Sequence, residues 1–197
     1  MLAEATALDE ATYEAVADTP TPTLDGPMTR LSNAANHSLI WIVIGAALAL
    51  LGGRPGRRAA VRGLAAIGVA SFTANVAVKG VVRRRRPRRL VITAGRDARM
   101  PGSSSFPSGH AASAFAFATA VTAELPQLSL PLYGLATAVA YSRVHTGVHF
   151  PSDVMAGAVL GSAVGTGVSQ ASRRLGPVRH RPPGLAAPAL GVSVDPG

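Results

Sequence analysis

Residues 107–125 read Pro-Ser-Gly-His-Ala-Ala-Ser-Ala-Phe-Ala-Phe-Ala-Thr-Ala-Val-Thr-Ala-Glu-Leu. Pro-Ser-Gly ahead of a long apolar run is a helix start, and the run lacks the sustained alternation of a half-buried strand. Four more Ala- and Gly-rich apolar segments share this character, at 38–51, 61–82, 128–141 and 154–170. The expectation is an all-α chain. A bilayer span wants about 20 apolar residues, and several of these segments reach that only with their flanks. Hydropathy alone therefore leaves two arrangements. One is a multi-pass transmembrane bundle of about five spanning helices, whose Gly, Ala and Ser let neighbours approach closely in lipid. The other is a soluble Ala-rich bundle.

Composition favours the membrane. Only 15% of the 197 residues are charged and 48% are hydrophobic, where soluble domains average about 25% charged. The chain is nevertheless basic, with net charge +9, a pI near 11.5 and mean hydropathy +0.28. The absence of Cys excludes disulfides, thiolate metal sites and a cysteine nucleophile.

Three regions follow. Residues 1–37 hold short helices, the first amphipathic or frayed, broken at Thr19-Pro20-Thr21-Pro22, with a second from about Leu24 to Asn36. They carry acids and no signal-peptide pattern. Residues 38–172 form the membrane-embedded domain, and 173–197 a Pro- and Arg-rich disordered tail. A long polar loop, 83–108, opens with Arg83-Arg84-Arg85-Arg86-Pro87-Arg88-Arg89. Loops of this length are often functional. Phe106-Pro107-Ser108 and Phe150-Pro151-Ser152 are parallel, each marking a helix start.

In an up-and-down arrangement of five helices, parity brings the polar clusters to one side. That side would hold Lys79, Arg86, Ser108, Gly109, His110, Ser142, Arg143, His149 and Asp153. Three cations, two of them guanidiniums that bind oxygens in pairs, point to a phosphoryl ligand. The helix start at Pro107 to His110 adds free backbone N–H groups, a close approach at Gly109 and the Ser108 hydroxyl. Of two histidines, one can attack phosphorus while the other protonates the departing oxygen. Asp153, across a turn made by Pro151, can orient His149 and stabilise its positive charge. Three cations should also keep His149 neutral.

Lys79 to Pro87 fits K-x6-R-P, Pro107 to His110 is P-S-G-H, and Ser142 to Asp153 fits S-R-x5-H-x3-D, so that all eleven specified positions are met in order. The chain resembles the type 2 phosphatidic acid phosphatase superfamily, which includes bacterial acid phosphatases and vanadium haloperoxidases. The resemblance implies a metal- and cofactor-independent membrane hydrolase of lipid phosphates working through a phosphohistidine. His149 would be the nucleophile, Asp153 its partner and His110 the general acid. Lys79, Arg86, Ser108, Gly109 and Arg143 would hold the phosphoryl oxygens. Polyprenyl phosphate or diphosphate is the first substrate it suggests, then phosphatidate or phosphatidylglycerophosphate. A vanadium haloperoxidase and a noncatalytic lipid-binding protein are the alternatives.

The remaining polar residues read more plainly. Arg83, Arg84, Arg85, Arg88 and Arg89 are headgroup contacts or solvated. Nucleic acid is not an expected partner, because no aromatic platform accompanies the arginines. His145 falls in the free spacer, at most at the rim of the site; His37 and His180 have no partner; Glu124 is a solvated helix end. Lys and Arg are more numerous on the side of the site, but many of these are site and loop residues. The opposite side is basic in the short loop with Arg54, Arg57 and Arg58 and in the tail. By family analogy that opposite side is cytoplasmic, and the site faces outward from the plasma membrane.

Overall fold

A computed structural model describes residues 2–87, 96, 98 and 100–175, and among them there is helix and no strand. Seven helices follow one another: α1 (Leu2–Asp18), α2 (Pro22–Ala34), α3 (Leu39–Leu51), α4 (Gly53–Phe72), α5 (Gly109–Thr122), α6 (Ser129–His145) and α7 (Pro151–Leu175). Helix α4 continues through a π-helical turn, Thr73–Val78, into a last α-turn, Lys79–Val81. The five apolar segments are α3 to α7. Helix α7 runs three residues into the stretch assigned to the tail; positions 176–197, and Arg88, Arg89 and Arg99, lie outside the described residues.

Helix α5 is the centre of the bundle, packed on α4, α6 and α7. Alanine makes this possible, since neighbours can approach it from every side, and Ala112, Ala116, Phe117 and Ala120 are fully buried. The α5–α7 contact is closest. Gly157, Gly161 and Gly165 recur one per turn on one face of α7, and a Cβ on them would lie 2.5 Å from Ser108 O, 2.2 Å from Ala112 O and 2.7 Å from Ala116 O. Backbone therefore touches backbone, as small residues allow between helices in lipid. On the other side, Trp41 of α3 packs against Phe117 with ring centroids 5.4 Å apart.

Among the described residues, two helical stretches are long and apolar enough to cross a membrane, Gly53–Val81 and Pro151–Leu175, or up to three if the pair Pro22–Ala34 and Asn36–Leu51, bent by 64°, is one broken span. Helices α3, α5 and α6, with 13, 14 and 17 residues, fall short of the usual span. Helix α5 is enclosed by its neighbours instead of facing lipid. The outer surface is apolar where a bilayer would meet it, as at Leu51 and Val159, 87% and 71% exposed.

The N-terminal helices are docked, not frayed. Arg96, buried at 6% exposure, reaches from the long loop to the carbonyls of Val16, Ala17 and Thr19, the Thr21 hydroxyl and Asp25 Oδ1 at 2.7 Å. His145 Nε2 lies 2.9 Å from the same carboxylate oxygen, so His145 is a buried member of this knot and not a residue of the rim. Glu124 is not merely solvated either: it pairs with Arg62 and lies 3.6 Å from Arg58.

Candidate active site

A cavity of about 270 Å³ is lined by Lys79, Arg86, Gly109, His110 and His149, together with His37, Ser38, Ser71, Asn75, Ser103 and Ser113. Ser108, Arg143 and Asp153 are buried behind it. The sequence motifs, far apart along the chain, are therefore brought to one place.

Each element positions its residue for a local reason. Ser108 caps α5, its hydroxyl accepting from the Ala111 N–H at 3.4 Å. A Cβ on Gly109 would come within 3.2 Å of Asn75 Oδ1, so glycine leaves the approach open there. Lys79, one turn after Asn75, donates to Asn75 Oδ1 at 2.8 Å and to Ser103 Oγ at 3.4 Å. Asn75 lies in the π-turn and Lys79 directly follows it, and such distortions recur at functional sites. Arg86 donates from Nε to Ser103 O at 2.9 Å and from Nη1 to Val148 O at 2.8 Å. The carbonyl of Arg143 accepts from the N–H groups of Val148 and His149, fixing the turn that carries His149. The Arg143 guanidinium donates to the Ser32 hydroxyl and, at 3.4 Å, to the Ser32 carbonyl.

His149 Nε2 lies 3.2 Å from Arg86 Nη1. A guanidinium only donates, so Nε2 carries the lone pair and the ring proton sits on Nδ1. Nδ1 is 3.5 Å from Asp153 Oδ2, longer than a good hydrogen bond. That oxygen also accepts the Phe150 N–H at 2.9 Å. Burial pulls the His149 pKa down to about 4, with the Arg86 and Arg143 charges adding to it and Asp153 opposing. The cations act as the sequence suggests, but burial is the larger cause. His110 Nε2 lies 3.0 Å from Asn36 Oδ1.

Sequence reasoning missed Asn36, Asn75, Ser103 and Arg84. Asn75 had a signal, one helical turn before Lys79. Asn36 had none, since only the chain's return brings it to His110. Arg84 is not a headgroup contact: its Nη1 donates to Asp153 Oδ1 at 2.9 Å. His37, for which no partner was foreseen, lines the cavity, and it and Ser38 have positive φ, 53° and 60°, a costly conformation of the kind that clusters at sites.

A helical membrane bundle that gathers cations and histidines around one polar pocket has the architecture of a membrane phosphatase acting on lipid phosphates. The chain belongs to the PAP2 superfamily, whose family model matches residues 59–177. It is 39% identical over 140 residues to a decaprenylphosphoryl-5-phosphoribose phosphatase of Mycobacterium tuberculosis, covering 68% of this chain and 73% of that one. The protein of the same name from Mycolicibacterium smegmatis is 38% identical over 134 residues, covering 64% and 67%. Among solved structures, the transmembrane PAP2 type phosphatidylglycerolphosphate phosphatase of Bacillus subtilis superposes with TM-score 0.66 at 26% identity, covering 89% of this chain and 90% of that one. LpxE of Aquifex aeolicus gives 0.61 at 24%, covering 81% and 93%.

Proposed function

We propose that the protein hydrolyses a phosphate monoester at the polar end of a polyprenyl lipid, through a phosphohistidine on His149. The observation that carries this is the placement of His149 Nε2, lone pair free of its proton, beside Arg86 in a pocket that also holds His110 and Lys79. Nε2 attacks phosphorus and the bond to the leaving alcohol breaks, with His110 giving that oxygen its proton. Asp153 stabilises the charge left on the His149 ring. Lys79, Arg86, Arg143, the Ser108 hydroxyl and the backbone at Gly109 hold the phosphoryl oxygens as negative charge develops. Water, deprotonated by His110, then attacks phosphorus, the P–N bond breaks, and inorganic phosphate leaves with His149 neutral again.

The mycobacterial relatives are named for a polyprenyl-linked phosphosugar. Such a lipid is the first substrate to test here, ahead of polyprenyl phosphates or diphosphates, phosphatidate and phosphatidylglycerophosphate. The pocket supports that order, because Ser38, Ser71, Asn75, Ser103 and Ser113 give it neutral hydrogen-bonding groups suited to sugar hydroxyls. We place residues 38–172 in the plasma membrane, with the site opening on the extracytoplasmic face.

The test is phosphate release from these lipids by detergent-purified protein in the presence of a chelator, beside His149→Ala. Turnover that survives chelation and vanishes in the variant supports the reading. Absence of release from every lipid, with peroxide-dependent halide oxidation in the presence of vanadate, overturns it in favour of a haloperoxidase.

A further inference from the structure

Arg84 falls at an unspecified position of the first motif, yet its guanidinium sits between two buried carboxylates. Nη1 donates to Asp153 Oδ1 at 2.9 Å and to Ser152 Oγ at 2.7 Å, and Nη2 donates to Asp9 Oδ2 at 2.6 Å. Its central carbon is 4.2 Å from the centroid of the Phe150 ring. Asp9, on α1, in turn holds the start of α7: Oδ1 accepts the Ser152 N–H at 2.8 Å and Oδ2 the Ser152 hydroxyl at 2.6 Å. Tyr13, one turn further along α1, meets the edge of Phe150, with centroids 5.7 Å apart.

From this geometry we propose that Arg84 and Asp9 are positioning residues for the Asp153–His149 pair, and that helix α1 is thereby a working part of the active site. The inference rests on the phosphohistidine reading above. A carboxylate bonded through Oδ2 alone can turn about its last torsion; Arg84 on Oδ1 removes that freedom and leaves Oδ2 aimed at Nδ1. Asp9 matters through charge. Arg84 beside Asp153 alone would be a neutral pair with little field left for the imidazole. Shared between two carboxylates, it leaves one net negative charge beside the ring that becomes cationic when it bonds phosphorus. The side chains of Asp153 and Asp9 are 0% and 6% exposed, so solvent screens these charges poorly.

The experiment measures kcat and KM for Arg84→Gln, Arg84→Lys and Asp9→Asn, each alone and combined with Asp153→Asn, with His149→Ala alongside. Arg84→Gln should lower kcat about 10- to 100-fold, the usual loss when a partner that orients a reacting group is removed, with KM changed less than about threefold. Arg84→Lys should recover part of that loss, since an ammonium keeps the charge but not the fork. Asp9→Asn should lower kcat by about tenfold. In the Asp153→Asn background each change should cost less than about twofold, because residues acting through one partner are not additive. If Arg84→Gln does not fold, the Lys and Asp9 variants complete the same cycle. Losses that multiply in that background, that fall on KM, or that are absent while His149→Ala is inactive overturn the positioning role alone. Turnover by His149→Ala removes the phosphohistidine reading and this inference with it.

Discussion

The backbone N–H of Ser108 donates to the backbone carbonyl of Asp153 at 2.9 Å, so the starts of helices α5 and α7, each carrying part of the site, are joined directly. The bond is possible because Gly157, one turn after Asp153, leaves room for the Ser108 carbonyl. The glycine face of α7 thus sets the distance between the start of α5 and the His149 turn.

Gly161→Val should destabilise the protein by about 1–3 kcal/mol, the usual cost of overpacking, because its Cβ would lie 2.2 Å from Ala112 O. Activity should fall with it as Ser108 and Asp153 separate. Gly167→Ala, where nothing lies within 4 Å, is the control. Thermal unfolding in detergent should show a lower midpoint for the first and an unchanged or higher one for the second.

Arg96→Ala should cost about 3–5 kcal/mol, since it leaves the buried Asp25 carboxylate without its cation. The folded fraction should keep its kcat, because Arg96 braces the α1–α2 junction and touches no residue of the cavity. Denaturant unfolding and specific activity, measured on the same preparation, separate the two effects. A loss of kcat with unchanged stability would contradict this assignment.

Asn36→Leu should lower kcat by about tenfold, the scale expected for a partner that orients a reacting group. It removes the acceptor 3.0 Å from His110 Nε2 and leaves the proposed acid without a fixed orientation. Steady-state kinetics check this, with KM expected to change little.

The His149 pKa, held near 4 chiefly by burial, should give kcat/KM an acid limb near pH 4. An ordinary imidazole would place that limb near 6.5. The sign is that of a depressed base: His149 is neutral above pH 4, and protonation below it removes the lone pair that the proposed attack uses. Because the unfolded ring protonates near 6.5, the folded state also loses stability as pH falls from there toward 4. A pH–rate profile, corrected for the separately measured second ionisation of the substrate phosphate near 6, together with unfolding midpoints across that range, tests both.

The sequence by itself determined the class of fold and pointed to a phosphoryl ligand. Ala- and Gly-rich apolar runs without alternation read best as helices, few charges favoured a bilayer over water, and Lys79, Arg86, Ser108, Gly109, His110, Arg143, His149 and Asp153 pointed to phosphoryl chemistry by their types and spacing. Parity of the helices was enough to predict that they meet. Only the tertiary structure decided which helix is central, because a 14-residue α5 and a short span look alike in hydropathy until neighbours enclose one of them. It alone gave Arg84 to Asp153 and Asp9, His145 to Asp25, and Asn36 to His110. Those pairs are made by side chains 69, 75, 120 and 74 residues apart. No local periodicity records such distances; they exist only once buried charges and polar groups, withdrawn from water, must find partners inside the fold.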